Sequence, residues 1–401
     1  MHVELHERYR ELPVAQEARD LIRACVHCGF CTATCPTYLE LGDERDGPRG
    51  RIQLLMQLLE GGPVSENSQR HLDRCLSCRS CETTCPSGVG YGRLADIGRG
   101  LIEQRVPRPP LHRLHRWLLR KVIPNRRLFG MLTALGYAFR PVLPASLKAK
   151  LPDRRRPGPL PAPRHERRML LLDACAQAAA TPATNAAAIR VLDRLGIRLE
   201  TVPGAGCCGA ISHHLSAHNE ALSHMRHNID AWWPAIERGA EAVVSTASGC
   251  GLMLTEYGPL LAGDPDYADQ AAKISELARD LAEVVAAEDL QPLAASSPER
   301  IAVHVPCTLY HGLRQPGLVQ DILGRTGFEL AETSEPHLCC GSAGTYSILQ
   351  PELSRRLARR KLDALTTGVP DAIVTANVGC QVQLAGVSNR PVRHWIELLD
   401  R

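Results

Sequence analysis

The amino-acid sequence predicts an α/β protein, in which a mostly helical N-terminal region precedes a duplicated α/β region built on parallel sheets. Three observations lead to this prediction. Two dense cysteine runs lie in residues 1–103, a basic and proline-rich stretch covers residues 104–168, and the cysteine pattern of residues 169–290 returns in residues 298–401. We therefore expect four segments with these boundaries, the last two related by a pseudo-two-fold axis.

The composition is that of an ordinary folded chain, with 401 residues, 44% hydrophobic residues and a net charge of +4. That charge alone argues neither for nor against nucleic acid, and no nucleic-acid partner is expected. The N-terminus is polar without an apolar signal core, and no apolar run reaches the length of a membrane span. We expect a cytoplasmic protein, at most peripheral at the inner face of the membrane, whose 16 cysteines serve metal rather than disulfides.

The first segment contains two copies of the spacing C-x2-C-x2-C-x3-C-P, which is the bacterial ferredoxin run. In such runs three cysteines bind one [4Fe–4S] cluster, and the fourth, followed by proline, reaches the other cluster. Zinc is the alternative, although zinc sites use two separated pairs of cysteines. The expected ligands are Cys25, Cys28, Cys31 and Cys85 for one [4Fe–4S] cluster, and Cys75, Cys78, Cys81 and Cys35 for the second.

A helix is expected at residues 52–59, between the two runs, and this connection is longer than the turn of a small ferredoxin. It suggests a helical ferredoxin module of the kind found in respiratory dehydrogenases. Just before it, Arg49 and Arg51 either donate hydrogen bonds near a cluster and raise its potential, or belong to a solvated turn.

The second segment is strongly basic. Residues 105–168 hold 17 Lys or Arg against Asp153 and Glu166, a charge of +15, which leaves −11 on the rest of the chain. Such a belt is either a docking surface for a partner or anionic lipid, or a solvated linker. One helical patch is expected from Leu111 to Ile123, packed on a membrane surface, on the protein itself or on a partner.

The last two segments repeat at an offset of 132 residues, or 130 for the final cysteine. Strands are expected at residues 169–173, 197–202 and 242–246, and again at 301–305, 328–331 and 372–376, with helices at 182–195 and 214–238. Alternation of strand and helix implies parallel sheets, and every repeated cysteine then follows the carboxyl end of a strand.

The repeated pattern resembles the cysteine-rich CCG domain of heterodisulfide reductase and related subunits. The resemblance implies a five-cysteine non-cubane cluster, but Met253 and Gln383 stand where the fifth cysteine would be. Four thiols per repeat suit one zinc ion or one ordinary cluster; redox-active or simply buried thiols are the alternative. The candidate metal ligands are Cys175, Cys207, Cys208 and Cys250 in the first repeat, and Cys307, Cys339, Cys340 and Cys380 in the second.

A group of histidines follows the first CCG motif. His214 and His218 are four residues apart on the expected helix, so they could share a metal. No Glu occupies the H-E-x-x-H position, and a zinc hydrolase is therefore not indicated. A solvated helix face is the alternative for His213, His224 and His227 as well.

Together the segments resemble the iron–sulfur subunits of glycolate oxidases, most specifically in residues 22–38, 71–88, 228–236 and 338–346. The resemblance implies FAD-bearing partner subunits that oxidise glycolate to glyoxylate, and electron transfer by this chain towards a quinone. The sequence contains no G-x-G-x-x-G and no acid–base pair for hydride chemistry, so no catalytic residue is expected here. Alternatives are a related complex acting on glycerol 3-phosphate, lactate or a disulfide, and an interaction or sensor protein stabilised by its clusters.

Overall fold

The computed structural model describes residues 1–144, 148, 151, 155–294 and 299–401. These residues form two compact units, one of Met1–Trp117 with His337–Lys361, the other of Leu118–Pro336 with Leu362–Arg401. The four segment boundaries drawn from the sequence stay a prediction. Parts of the basic stretch, at 145–147, 149–150 and 152–154, and residues 295–298 between the repeats lie outside the described residues.

Short helices surround the two cysteine motifs, and longer ones form the core beneath them. The helices before the first strand are α1 (Glu7–Arg10), α2 (Pro13–Arg23), α3 (Phe30–Ala33), α4 (Pro36–Leu41), α5 (Pro48–Leu59), α6 (Glu66–Asp73), α7 (Ser80–Thr84), α8 (Tyr91–Arg105), α9 (Pro110–Val122) and α10 (Arg126–Ala138). Proline starts several of them, because it lacks only an amide hydrogen that the first helical turn would leave unpaired.

Helices α2, α5 and α8 pack together through aliphatic side chains. Ile22, Leu55 and Leu94 are at most 1% exposed and belong to one buried cluster. Gly98 on α8 lets Leu55 approach closely, since a Cβ there would lie 2.3 Å from a methyl carbon of Leu55. The core thus holds fixed the helices between which the cysteine motifs run.

Each repeat folds around a four-stranded parallel sheet. The first has the order β2-β1-β3-β4 and the second the order β6-β5-β7-β8. The strands are β1 (Arg168–Leu171), β2 (Arg198–Thr201), β3 (Val243–Ser245), β4 (Ala278–Asp280), β5 (Arg300–His304), β6 (Glu329–Leu330), β7 (Ala372–Thr375) and β8 (Val392–His394). The predicted duplicated α/β fold with parallel sheets is confirmed.

Helices cover the sheets, as parallel strands require. In the first repeat they are Cys175–Ala180, Pro182–Arg194, Ala210–His214, His218–Glu237, Ser248–Thr255, Tyr257–Leu261, Ala268–Leu277 and Leu281–Ala286. After β5 they are Leu318–Arg325, Tyr346–Leu349, Pro351–Leu365, Val378–Ala385 and Ile396–Leu399, with a π-helical turn at Thr308–Gly312.

The sequence-based prediction was incomplete in two places. Strands β4 and β8 were not expected, because each is three residues long and carries charged side chains. The single helix expected over residues 214–238 begins later than predicted. The chain forms Ala210–His214 and His218–Glu237 instead, separated where Ser216 adopts φ 61°.

The two repeats share one hydrophobic core. Leu171 on β1 and Val303 on β5 belong to the same buried cluster, together with Trp395. Hydrogen bonds connect the repeats as well: His394 Nε2 lies 2.8 Å from the carbonyl oxygen of Thr246, and the Ser248 amide donates to Ala376 O at 3.1 Å. Neither sheet is therefore an isolated layer.

The basic stretch contains two helices, α9 and α10, of which the first matches the predicted helical patch. Many of its arginines pair with carboxylates of the surrounding protein. These pairs are Arg108 with Asp73 and Glu103, Arg116 with Asp73, Arg120 with Glu220, Arg126 with Asp173, Arg155 with Glu397, and Arg164 with Asp193. Much of the positive charge of this stretch is thus paired with carboxylates. In the described part of the chain, no helix has both the length and the hydropathy to cross a bilayer.

Candidate functional site

The two cysteine motifs adopt the same backbone turn. His27 and Gly29 have φ of 61° and 85°, and Ser77 and Arg79 at the equivalent positions have φ of 51° and 60°. In each motif, two of three consecutive residues thus have left-handed backbone conformation, which turns the chain sharply. A short helix, α3 or α7, follows directly. The first three thiols of each motif are thereby arranged around one cavity.

The first cavity is lined by Cys25, Cys28 and Cys31 of the first motif and by Cys85 of the second. Pro86, Val89 and Ile52 complete much of an apolar wall. Burial raises the pKa of the Cys31 thiol to about 11, although a hydrogen bond from the backbone amide of Arg49 opposes this rise. A thiolate here therefore needs a cation, and iron supplies one.

The second cavity has the reciprocal composition. Cys75, Cys78 and Cys81 line it together with Cys35 from the first motif. Burial, followed by the neighbouring Cys78, Cys75 and Cys35 groups, raises the pKa of the Cys81 thiol well above its usual value. Each set of four cysteines that the sequence grouped thus lies at one cavity, and Cys81 lines the first cavity as well. Sulfur donors in this number fit the chemistry of a [4Fe–4S] cluster, and the division of ligands between the two clusters stays a prediction.

The N-terminus of α5 lies between the two cavities. Pro48, its first residue, lines both, Arg49 lines the first, and Arg51 lines the second. The unpaired amide groups and the positive end of the helix dipole favour negative charge at this point, as an iron–sulfur cluster with four thiolates carries.

Of the two arginines, Arg51 is 1% exposed and Arg49 lies nearer the surface. Arg51 donates to His71 O at 2.7 Å and to Thr37 Oγ1 at 3.0 Å, and Arg49 donates to Glu44 Oε1 at 2.6 Å. The solvated-turn alternative is therefore wrong for Arg51. Its role at the second cavity is to hold the loop that carries Cys35.

A buried polar network behind Cys35 was missed by the sequence analysis. Asp46 is fully buried and accepts hydrogen bonds from Arg74 Nη1 at 2.8 Å and, at 3.0 Å, from His71 Nδ1. The Asp46 carbonyl accepts from Thr37 Oγ1 at 2.7 Å, and Thr37 Oγ1 lies 3.3 Å from Cys35 Sγ. No local sequence motif predicts this network, because its members are up to 37 residues apart in the sequence.

One wall is common to the two cavities. Pro48, Cys81 and Tyr91 line both of them. The two candidate cluster positions are therefore neighbours within one unit, separated by a few side chains. Tyr91 had no distinguishing sequence signal, being one tyrosine at the start of a helix.

In the first repeat, the four predicted thiols converge beyond the strand ends. Cys175 Sγ lies 3.7 Å from Cys207 Sγ, and the Cys208 thiol interacts with those of Cys207 and Cys250. Hydrogen bonds from Cys175 and Cys208 lower the pKa of Cys207 well below its usual value. One thiolate held among three further thiols is an arrangement that suits a thiophilic metal ion.

The loop that carries Cys207 and Cys208 is held by a buried amide and a buried phenol. Asn228 Nδ2 donates to Cys207 O at 2.9 Å, and Tyr257 Oη donates to Cys208 O at 3.0 Å. Gly209 has φ 90°, and a Cβ there would lie 3.0 Å from the Ala221 carbonyl. These contacts explain why glycine follows the two cysteines.

The second repeat reproduces this local geometry. The Gly341 amide donates to Cys339 Sγ at 3.4 Å, as the Gly209 amide does to Cys207 Sγ at the same distance. Cys339 and Cys340 are buried in the segment His337–Lys361 of the first unit. Cys307 and Cys380 belong to the second unit, where Cys307 precedes the π-helical turn and Cys380 lies in Val378–Ala385.

The structure also places the histidine pair and Met253, both of which were singled out from the sequence. His214 and His218 do not share a helix, because one ends and the other begins there, so their i, i+4 relation is lost. Met253 is 2% exposed and packs with Met225 and Tyr257 in a hydrophobic cluster that also contains Cys208.

Comparisons with known proteins find matches to two kinds of domain in this chain. A family model described as a 4Fe-4S dicluster domain matches residues 22–89. A family model described as a cysteine-rich domain matches residues 169–255 and 301–385. The first range contains both cysteine motifs, and the other two contain the repeats with their CCG loops, with the second closing five residues after Cys380.

Several proteins are similar over much or all of the chain. The glycolate oxidase iron-sulfur subunit of Escherichia coli K12 is 52% identical over 100% of this chain and 99% of its own length. The probable glycolate oxidase iron-sulfur subunit of Bacillus subtilis 168 is 33% identical over 90% and 87%. Lactate utilization protein A of Geobacillus thermodenitrificans is 28% identical, over 53% of this chain and 90% of its own.

Among solved structures, that of a hypothetical protein from Helicobacter pylori matches with a TM-score of 0.54 and 11% identity. It covers 98% of this chain and 72% of that one. At this identity the likeness concerns the fold alone.

Proposed function

This chain belongs to the family of glycolate oxidase iron-sulfur subunits, and from that membership we propose that it carries electrons within a glycolate-oxidising complex. FAD-bearing partner subunits oxidise glycolate to glyoxylate, releasing two electrons and two protons. This chain accepts the electrons one at a time and passes them to a quinone-type acceptor. Its own residues bind and tune the clusters and leave the substrate chemistry to the partners.

The observation that carries the proposal is the pair of adjoining four-cysteine cavities with exchanged fourth ligands. Cys25, Cys28, Cys31 and Cys85 hold one [4Fe–4S] cluster, and Cys75, Cys78, Cys81 and Cys35 hold the other. When bound, the two clusters supply two one-electron centres, which matches the two electrons released per glycolate. The wall shared through Pro48, Cys81 and Tyr91 supports transfer between them.

The test is anaerobic reconstitution of the full chain with iron and sulfide. We expect at least eight irons and eight acid-labile sulfides per chain, with two reversible one-electron reductions. Four irons or fewer, or zinc in their place, would contradict the cluster assignment. Eight irons without reversible reduction would favour the alternative in which clusters only stabilise an interaction or sensor protein.

We further propose that each cysteine-rich repeat holds at most one metal centre. Its ligands come from Cys175, Cys207, Cys208 and Cys250 in the first repeat, and from Cys307, Cys339, Cys340 and Cys380 in the second. The converging thiols and lowered pKa of Cys207 support this for the first repeat. Met253 stands where the fifth cysteine would be, and a thioether is a weaker ligand than a thiolate, which opposes a five-thiolate non-cubane cluster.

Elemental analysis of the same full chain tests the repeats. Iron beyond eight, or zinc, that is lost in Cys207→Ser but kept in Cys28→Ser, would support a centre in the first repeat. A chain with eight irons, no zinc, and the eight repeat thiols free to react would contradict it.

We also propose that the basic stretch contacts an anionic membrane surface, the membrane being where a quinone acceptor would be found. Helix α10 buries none of its residues, and Met131, Leu132 and Leu135 on it are exposed, as are Phe139 and Val142 just beyond. Apolar side chains next to arginines are the pattern of an interfacial helix. Flotation of the full chain with anionic vesicles tests this: binding should fall in Leu135→Asp and with neutral vesicles, and equal binding in all cases would overturn it.

A further inference from the structure

Tyr91 is a buried phenol whose hydroxyl has no hydrogen-bond partner within the described residues. The side chain is 4% exposed and lines both cysteine cavities. Buried hydroxyl groups nearly always have a partner, because an unpaired one loses its hydrogen bonds to water without replacement. An unpaired phenol at the wall of a ligand cavity therefore points to an acceptor inside that cavity.

The surroundings of the hydroxyl identify the side on which the acceptor lies. The cysteines with the largest electrostatic effect on the Tyr91 hydroxyl are Cys75, Cys81 and Cys35. All three cysteines line the second cavity. A phenol O–H is a hydrogen-bond donor, and this one belongs to the wall of that cavity.

We propose that the Tyr91 hydroxyl donates a hydrogen bond to a sulfur atom of the cluster held by Cys75, Cys78, Cys81 and Cys35, and so raises the reduction potential of that cluster. The inference rests on the proposed ligand set. Reduction adds negative charge to a cluster, and a donor to its sulfur stabilises the reduced state more than the oxidised state. A higher potential at the second cluster would favour electron transfer towards it from the first cluster.

Tyr346 provides a matched control within the same unit. It is also buried, at 6% exposure, and also lies near Cys75. Its hydroxyl, however, already donates to the Arg74 carbonyl at 3.1 Å. Tyr346→Phe therefore makes the same chemical change as Tyr91→Phe, the loss of one buried hydroxyl, but it removes no donor to the cavity.

The experiment compares the wild-type chain with Tyr91→Phe and Tyr346→Phe, each loaded with iron and titrated by redox potential while electron paramagnetic resonance follows each cluster. The signal altered by Cys35→Ser identifies the second cluster. In Tyr91→Phe, we expect the equilibrium constant for reduction of that cluster to fall about tenfold, which is 59 mV for a one-electron couple. The other cluster and Tyr346→Phe should change far less.

An unchanged potential in a Tyr91→Phe chain that holds eight irons would overturn this inference and leave the proposed function intact. Failure of the wild type to bind eight irons would overturn the proposed function itself. If Tyr91→Phe does not retain its iron, replacement of all tyrosines by 3-fluorotyrosine gives the second measurement. The more acidic phenol is a stronger donor, so the potential of the second cluster must rise, and no rise would refute the proposal.

Discussion

The fourth cysteine of each motif lines the cavity of the other motif. Cys35 ends the first motif but lines the second cavity, and Cys85 ends the second motif but lines the first cavity. Pro36 starts α4 directly after Cys35, with Cys35 in extended conformation, so the fourth cysteine cannot continue the turn made by the first three. Each motif therefore contributes to both cavities.

Substitution of the fourth cysteines should cause crossed losses. We expect Cys35→Ser to damage the cluster of the second motif and Cys85→Ser to damage that of the first, because each removes a thiolate from the other motif's cavity. Electron paramagnetic resonance of the single variants, with iron content, checks this. If each motif lost only its own cluster, the crossed assignment would be wrong.

Replacement of the glycine that follows the cysteine pair of the first repeat should measurably destabilise the protein. Gly209→Ala forces a side chain into φ 90° and to within 3.0 Å of a backbone carbonyl, so it should destabilise the protein by about 1–3 kcal/mol. Gly206→Ala is the control, because a Cβ there has nothing within 4 Å. Denaturant unfolding of both variants provides the comparison, and equal stability would refute the steric explanation.

At the scale of elements, strand β8 joins the repeats through a histidine that must stay neutral. Burial lowers the pKa of His394 from 6.5 to about 4, and its hydrogen bond with Thr246 O opposes this shift only in part. The imidazole also accepts from the Ile396 amide at 3.3 Å. With one nitrogen donating and the other accepting, the neutral ring satisfies both partners.

Acid should therefore weaken this connection. Because the unfolded chain binds the proton more tightly, stability falls as the pH drops from about 6.5 towards 4, by about 3 kcal/mol at the low end. His394→Gln cannot titrate yet keeps a donor for Thr246, and so it should show a smaller loss over this range. Thermal midpoints at pH 7 and pH 4.5 measure the difference, and identical pH profiles would contradict it.

Elements also show where sequence patterns stop being informative. Six strands could be predicted from apolar residues in alternation with helical segments, whereas Ala278–Asp280 and Val392–His394 are strands because they pair with β3 and β7. The two cysteine quartets were predictable because their spacing is itself a geometric constraint. Tyr91 and Asp46 were not, since their importance arises from burial beside a cavity formed by distant segments.

At the scale of the whole molecule, the chain is one subunit of a larger catalyst. Purified alone, it should show no oxidation of glycolate with a dye acceptor, because the substrate site and FAD belong to the partner subunits in the proposed complex. Activity should return when those subunits are added. Dye-linked assays of the chain alone and of the assembled complex check this, and turnover by the chain alone would contradict the proposed division of labour.

The hydrophobic core common to both sheets has a consequence for how the duplicated region opens. Leu171, Val303 and Trp395 belong to one cluster, so neither repeat can expose its share of that cluster while the other keeps its share buried. Amide hydrogens of β1 and β5 should accordingly exchange with solvent through the same opening event and with similar protection. We therefore expect the duplicated region to unfold as a single cooperative unit, and neither half to persist as an independent domain.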